Sequence, residues 1–129
     1  MPVWRKTVLF YLGGTVYMTL EYLWRGRSHG SMFLLGGTCF SLLGPLGKGK
    51  IPSAAKPFLG AGVITALELA AGLAVNRDYA VWDYRRTPLN YRGQICLPYA
   101  LLWSLLSIPA MELYRAAERG LTFGAGKVK

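Results

Sequence analysis

Charged residues divide an otherwise apolar chain into four runs: Thr7 to Trp24, Ser31 to about Leu46, Pro57 to Val75 and Ile95 to Leu113. Each is longer than a strand and of helical length, so the pattern predicts an all-α protein. At about 1.5 Å per residue the first run covers most of a ~30 Å hydrocarbon core, and the four are read as transmembrane helices. The Arg25–Gly30 link is short enough to force an antiparallel hairpin, so the helices form two hairpins. The second run is the shortest and is rich in glycine, with Gly37, Ser41 and Gly44 at the spacing of a close helix contact. The expectation is one integral membrane domain over residues 1–129, ending in a basic tail over 114–129.

Composition fits this pattern. Of the 129 residues 53% are apolar and 16% charged, too few charges for a soluble surface. The net charge of +9 comes from clusters that flank the runs, without a basic helix or RNA-binding signature. Membrane lipid headgroups, not nucleic acid, are therefore the expected partners of that charge. Arg5 and Lys6 precede the first run as in a signal peptide, but no small-residue cleavage site follows, so a retained span is expected. Cys39 and Cys96 both fall inside apolar runs and are expected to be free and buried.

Lys and Arg number nine on the side of the N-terminus, second loop and tail, against six on the side of the first and third loops. The excess points to a multi-pass protein of the cell membrane with both termini in the cytoplasm. The stretch GPLGKGK, Gly44 to Lys50, imitates a phosphate-binding loop, but Ile51 occupies the position of the magnesium-binding Ser or Thr. It also joins two apolar runs, where a strand and a helix are required.

Polar residues concentrate between Glu68 and Gln94. Glu68 shares a face with Ala61, Thr65 and Gly72, so it points toward a neighbouring helix, on the order of 10 Å below the end of its run. An ionised carboxylate there costs roughly 2 to 4 kcal/mol, and such residues face a cavity or a partner. Glu68 is thus either a proton or cation site, counter-charged by an arginine such as Arg25 or Arg77, or a structural hydrogen-bonding group. Gly14, Tyr17 and Glu21 share a face of the first run, and Glu21 either joins Glu68 or pairs with Arg25 one turn away.

Four spans bring the first link and the Asn76–Gln94 loop to one side. Glu21, His29, Glu68, Asn76, Asp83, Asn90 and Gln94 can then line a single cup, with Trp82, Asp83 and Tyr84 as its lid. Arg25, Arg77, Arg85 and Arg86 are candidate contacts for a headgroup or other anion. Glu21, His29, Glu68 and Asp83 lack the compact spacing of a metal site, so no metal is expected, and the sequence specifies no cofactor. Pro98 and Pro109 are expected to kink the fourth helix, whose narrow face is Cys96, Ala100, Ser104, Ser107 and Met111.

At these residues the chain resembles the ABC-transporter type IV, CmpB-like family of small bacterial membrane proteins. The pieces that match are Leu20-Glu21 with Trp24-Arg25-Gly26, Ser28-His29 with Met32 and Gly36-Gly37, Ala66 to Leu69 with Gly72, Val75-Asn76-Arg77, Trp82-Asp83-Tyr84, Pro88-Leu89-Asn90 and Gly93 to Cys96. Two positions depart from the family pattern: Gly30, where a tryptophan follows the histidine, and Arg85, where a small residue follows the tyrosine. The resemblance implies a polytopic transport permease without naming a cargo. With the residues, it gives the leading expectation, a small transport protein whose carboxylates bind a proton, cation or cationic group. Four helices can hardly enclose a pathway, so a homo-oligomer or larger membrane complex is expected. The rival readings are a membrane enzyme acting on a lipid-linked substrate and an assembly or regulatory subunit.

Overall fold

The computed structural model describes residues 2–128, with side chains described through residue 122. It is all-α, with helices α1 (Val3–Arg25), α2 (Gly30–Lys48), α3 (Lys56–Val75) and α4 (Leu97–Val128). Between the last two lies a small antiparallel pairing of β1 (Asn90–Tyr91) with β2 (Ile95–Cys96), Asn90 opposite Cys96 and Tyr91 opposite Ile95. The fourth helix therefore starts at Leu97, two residues after the expected Ile95, because Ile95 and Cys96 are drawn into this pairing.

Local chemistry sets the helix ends. α1 stops where Gly26 takes φ 74°, the left-handed conformation glycine adopts without strain, and its N–H closes on the Tyr22 carbonyl at 2.9 Å. α2 is capped by His29, whose Nδ1 accepts the Ser31 N–H at 3.1 Å just before the helix starts at Gly30. Pro57 occupies the first turn of α3, where its missing N–H costs nothing. Pro98 stands in the first turn of α4 for the same reason and cannot kink it; Pro109 lies inside that helix. The sequence Gly44 to Lys50 is helical through Lys48 and forms no phosphate-binding loop.

α1 packs chiefly on α2 and α3 on α4, which gives the two expected hairpins. The glycines of α2 act as seats for rings: Gly36 lies under Tyr17, Gly37 under Phe10 and Gly44 under Tyr114. One buried cluster joins Met32, Leu35 and Cys39 to Val81 and Trp82 of the α3–α4 connection, and another joins Leu9, Phe40 and Tyr114 at the opposite end. Both cysteines are free and buried. The buried face of α4 is Trp103, Ser107, Met111 and Tyr114, which corrects the expected face: Ala100 and Ser104 are only half-buried.

Hydrogen bonds from Trp24 to Tyr99 at 3.4 Å and from Arg5 to Thr122 at 3.3 Å run α1 and α4 antiparallel and bring the start of α1 beside the last turns of α4. At that end Lys56 and Arg115 donate to the Gly47 carbonyl and Lys48 pairs with Glu118, a cationic surround for the C-terminus of α2. Of the expected basic tail, Lys129 and the side chain of Lys127 lie outside the described residues.

Among the described residues two helices, α2 and α3, are long and apolar enough to cross a membrane. In α3 only 17% of the most apolar stretch is buried inside the protein, unlike the core helix of a soluble fold. α1 and α4 have the length, but Gly, Thr, Tyr, Ser and Trp dilute their apolar character.

The ring seats predict a contrast between glycines. A Cβ on Gly44 would enter the Tyr114 ring, whereas one on Gly62 meets open space. Gly44→Ala should lose about 1–3 kcal/mol, and Gly62→Ala should be neutral or gain up to about 1 kcal/mol, by thermal unfolding in detergent. Equal losses would contradict the packing.

Candidate functional site: a buried carboxylate in an aromatic cup

The site is built on the end of α3. Asn76, fully buried, closes that helix, and its amide folds the following chain back. Its Oδ1 accepts the N–H groups of Val81 at 2.8 Å and Trp82 at 3.1 Å. Its Nδ2 donates to the Trp82 carbonyl at 2.7 Å and to Gln94 Oε1 at 2.9 Å. Gln94 returns a bond to the Asn76 carbonyl at 3.0 Å and lies against Gly72, where a Cβ would displace it. Trp82 in turn donates its indole N–H to the Gln94 carbonyl at 2.9 Å. All three are buried, so every bond is made away from water, where an unpaired amide costs about 1–3 kcal/mol.

This latch sets Tyr84 over α3. The Tyr84 hydroxyl donates to Glu68 Oε2 at 3.0 Å, and the Trp103 indole N–H reaches Oε1 at 3.4 Å. Glu68 is only 3% exposed, and among the described residues no Lys, Arg or His is paired with it. Rings continue around it: Tyr84 stacks on Tyr99 with centroids 4.7 Å apart, Tyr99 meets Trp103 at 5.9 Å, and Trp103 meets Tyr17 at 6.2 Å. They enclose a cavity of about 250 Å³, with Trp24, Trp82 and the Glu21–Arg25 pair also on its wall. Burial, then the nearby Glu68, pushes the Tyr84 hydroxyl above its ordinary range, so it remains a donor at neutral pH.

Glu21 pairs with Arg25 one turn along α1, and Arg25 also donates to the Val81 carbonyl at 2.7 Å. Arg25, expected as an anion contact, is instead a bracket between α1 and the α3–α4 connection, and Glu21 is the charge that offsets it. Of the expected site residues, Glu21, Glu68, Trp82, Tyr84 and Arg25 line the cavity. Asn76 and Gln94 stand behind it as its support.

His29, Asp83 and Asn90 do not join them. His29 caps α2, and Asn90 holds the turn through bonds with the Arg85 and Thr87 carbonyls and the Gly93 N–H. Asp83 faces outward in a fork with Arg85, whose guanidinium lies 4.0 Å from the centre of the Tyr79 ring. Of the three residues expected as a lid, Trp82 and Tyr84 line the cavity and Asp83 does not. Arg77 is exposed and donates to the Leu73 carbonyl, and Arg86 is exposed on the same loop. Among the described residues no cluster of three or more His, Cys, Asp or Glu could hold a metal ion.

Trp103, Tyr99 and Tyr17 are the residues that sequence reasoning missed as parts of the site. A signal existed for Trp103, which precedes Ser107 and Met111 on one face at four-residue spacing.

With this geometry in view, a family model described as "Putative ABC-transporter type IV" matches residues 2–122. The chain belongs to that family. The match takes in α1, α2, α3 and most of α4, so the type IV transporter resemblance extends beyond the separate motifs that carried it in the sequence. No curated protein and no solved structure matches the chain.

Two predictions follow from the loop of this type IV family member. Asn76→Ala strands two N–H groups, a carbonyl and the Gln94 amide, and should cost about 3 kcal/mol or more. Hydrogen exchange at the Val81 and Trp82 amides should accelerate accordingly; unchanged protection would contradict the latch. Asp83 is held from its ordinary 3.8 down to about 2, first by the Arg85 side chain and then by the Arg85 N–H. A lowered pKa makes its contribution full above 3.8 and lost only as the pH falls toward 2. Its carboxyl carbon resonance should stay almost wholly that of the ionised form down to pH 4, and a midpoint at or above the ordinary 3.8 would contradict the fork.

Proposed function

We propose that this is a small membrane transport protein in which all four helices span the bilayer and Glu68 binds a proton, a cation or a cationic group. The observation that carries the reading is a carboxylate 3% exposed, with hydrogen-bond donors but no cation paired to it among the described residues, in the wall of a cavity. A buried charge without a counter-charge is costly, and a cationic ligand supplies what is missing. The transporter family is the context in which such a site has a use.

The membrane reading draws on the outward residues. Val8, Leu34, Leu42, Phe58, Leu101 and Leu105 are all exposed, and they lie on all four helices. α1 has 23 residues, about 34 Å, enough to cross the core. Both termini are assigned to the cytoplasm from the Lys and Arg excess on their side, with Arg77 and Arg86 among lipid headgroups on the other. One bundle of four short helices can hardly enclose a full pathway alone, so the working form is a homo-oligomer or part of a larger membrane complex.

The enzyme reading is weaker because it needs a second acid or base beside Glu68. Asp83 and His29 are occupied elsewhere, and Glu21 is paired.

Glu68→Gln keeps the shape and an acceptor oxygen but removes the charge. In proteoliposomes it should lower cation or proton flux at least about tenfold, as expected for losing a charged partner of ~1.5–3 kcal/mol, while the protein remains folded. Flux unchanged in that variant would overturn the proposal.

A further inference from the structure

The cup is not closed at its inner end. It shares Tyr17, Leu20, Trp103 and Leu106 with a second cavity of about 300 Å³ that continues between α1 and α4 toward the opposite end of the bundle. α1 and α4 make few contacts with each other, so a groove runs along their junction. Beyond the shared residues its wall is Val16, Cys39, Phe40, Leu43, Pro109 and Ala110 among others, with no charged side chain. Cavities of this size and lining suit the apolar part of a small ligand.

The head end has an unusual balance of hydrogen-bonding groups. Tyr84 and Trp103 both spend their donors on Glu68, Trp24 donates to Tyr99, and Arg25 donates to Val81. Acceptors left for a ligand are few, whereas a primary ammonium brings three N–H groups. A hard metal ion needs several oxygen ligands, and the cup offers one unpaired carboxylate. Aromatic faces around a negative charge instead suit a cation without N–H groups, as in the aromatic cages that hold methylated ammonium.

We infer that the ligand is an amphipathic organic ammonium, its methylated head held by Glu68 and the surrounding rings and its single apolar tail lying in the groove between α1 and α4. This deepens the reading of Glu68 as a cation site and depends on it. Arg25 on the wall does not oppose such a head, because Glu21 offsets its charge.

The test uses the full chain in lipid nanodiscs, with tetramethylammonium, octyltrimethylammonium and octyl sulfate as probes and quenching of tryptophan fluorescence as the readout. Variant-to-wild-type ratios are compared probe by probe, which cancels partition of each probe into lipid. Glu68→Gln should weaken both cations at least about tenfold. Val16→Phe and the milder Ala110→Leu, which narrow the groove away from the head, should weaken octyltrimethylammonium about tenfold and leave tetramethylammonium within about twofold, as expected for displacing two or so buried methylenes.

If both groove variants bind the two cations in the wild-type ratio, the tail assignment is overturned while the cation site stands. If Glu68→Gln alters neither cation, the cation reading itself fails. Octyl sulfate binding as tightly as octyltrimethylammonium would also overturn the inference, by showing that the tail alone selects the ligand. Octylphosphocholine, with the same head behind a phosphate, identifies the source: binding as tight as octyltrimethylammonium supports a membrane lipid, and weaker binding supports a free amphiphile.

Discussion

The side-chain amide of Asn76 is the constraint on which the rest of the structure depends. It is buried with all four of its hydrogen-bonding capacities used, and those bonds turn the chain leaving α3 back over α3 itself. Trp82 is held at the centre of the latch by its own indole bond, and Tyr84, two residues on, reaches Glu68. A single amide at a helix end thereby determines which donor meets a carboxylate two turns below. The side chain of Gln94 fits this arrangement because residue 72, beneath it, is glycine.

Packing elsewhere prepares the same site. Ring-on-glycine contacts bring α1 tightly onto α2, while the rank of Tyr84, Tyr99, Trp103 and Tyr17 occupies the space between α1 and α4 near the loops. The two hairpins consequently meet well through α2, α3 and α4 and poorly along the α1–α4 seam. That seam is where the cavities lie. Among the described residues Arg25 takes Glu21, Arg85 takes Asp83, Lys48 takes Glu118 and Arg115 takes Glu112, exposed Asp78 accepts the Ala80 N–H, and Glu68 is the buried carboxylate left without a paired cation, in an aromatic wall.

Much of this was legible in the sequence because the four helices coincide with long, mostly apolar runs set off by charged clusters. The four helices, their hairpin order and the burial of Glu68 beside Gly72 follow from spacing, which left Glu21 open between joining Glu68 and pairing with Arg25; the structure shows the pairing. Three features did not. His29, Asp83 and Asn90 look like ligand groups in a polar loop, but a short polar side chain can equally serve the backbone, and here each caps a helix or holds a turn. The aromatic wall was hidden because Tyr99 and Trp103 sit in an apolar run, where rings ordinarily pack in the core or face lipid. The start of α4 shifted because a two-residue strand pairing is too short to leave a periodic signal.

The central claim is that Glu68 provides the negative charge of a ligand-binding cup. Its most direct test is native mass spectrometry of the protein released from its own membrane, comparing wild type, Glu68→Gln and Asp83→Asn. The account predicts a cationic adduct on the wild type and on Asp83→Asn that is lost from Glu68→Gln. The same adduct on all three proteins, or its loss only with Asp83→Asn, would contradict it.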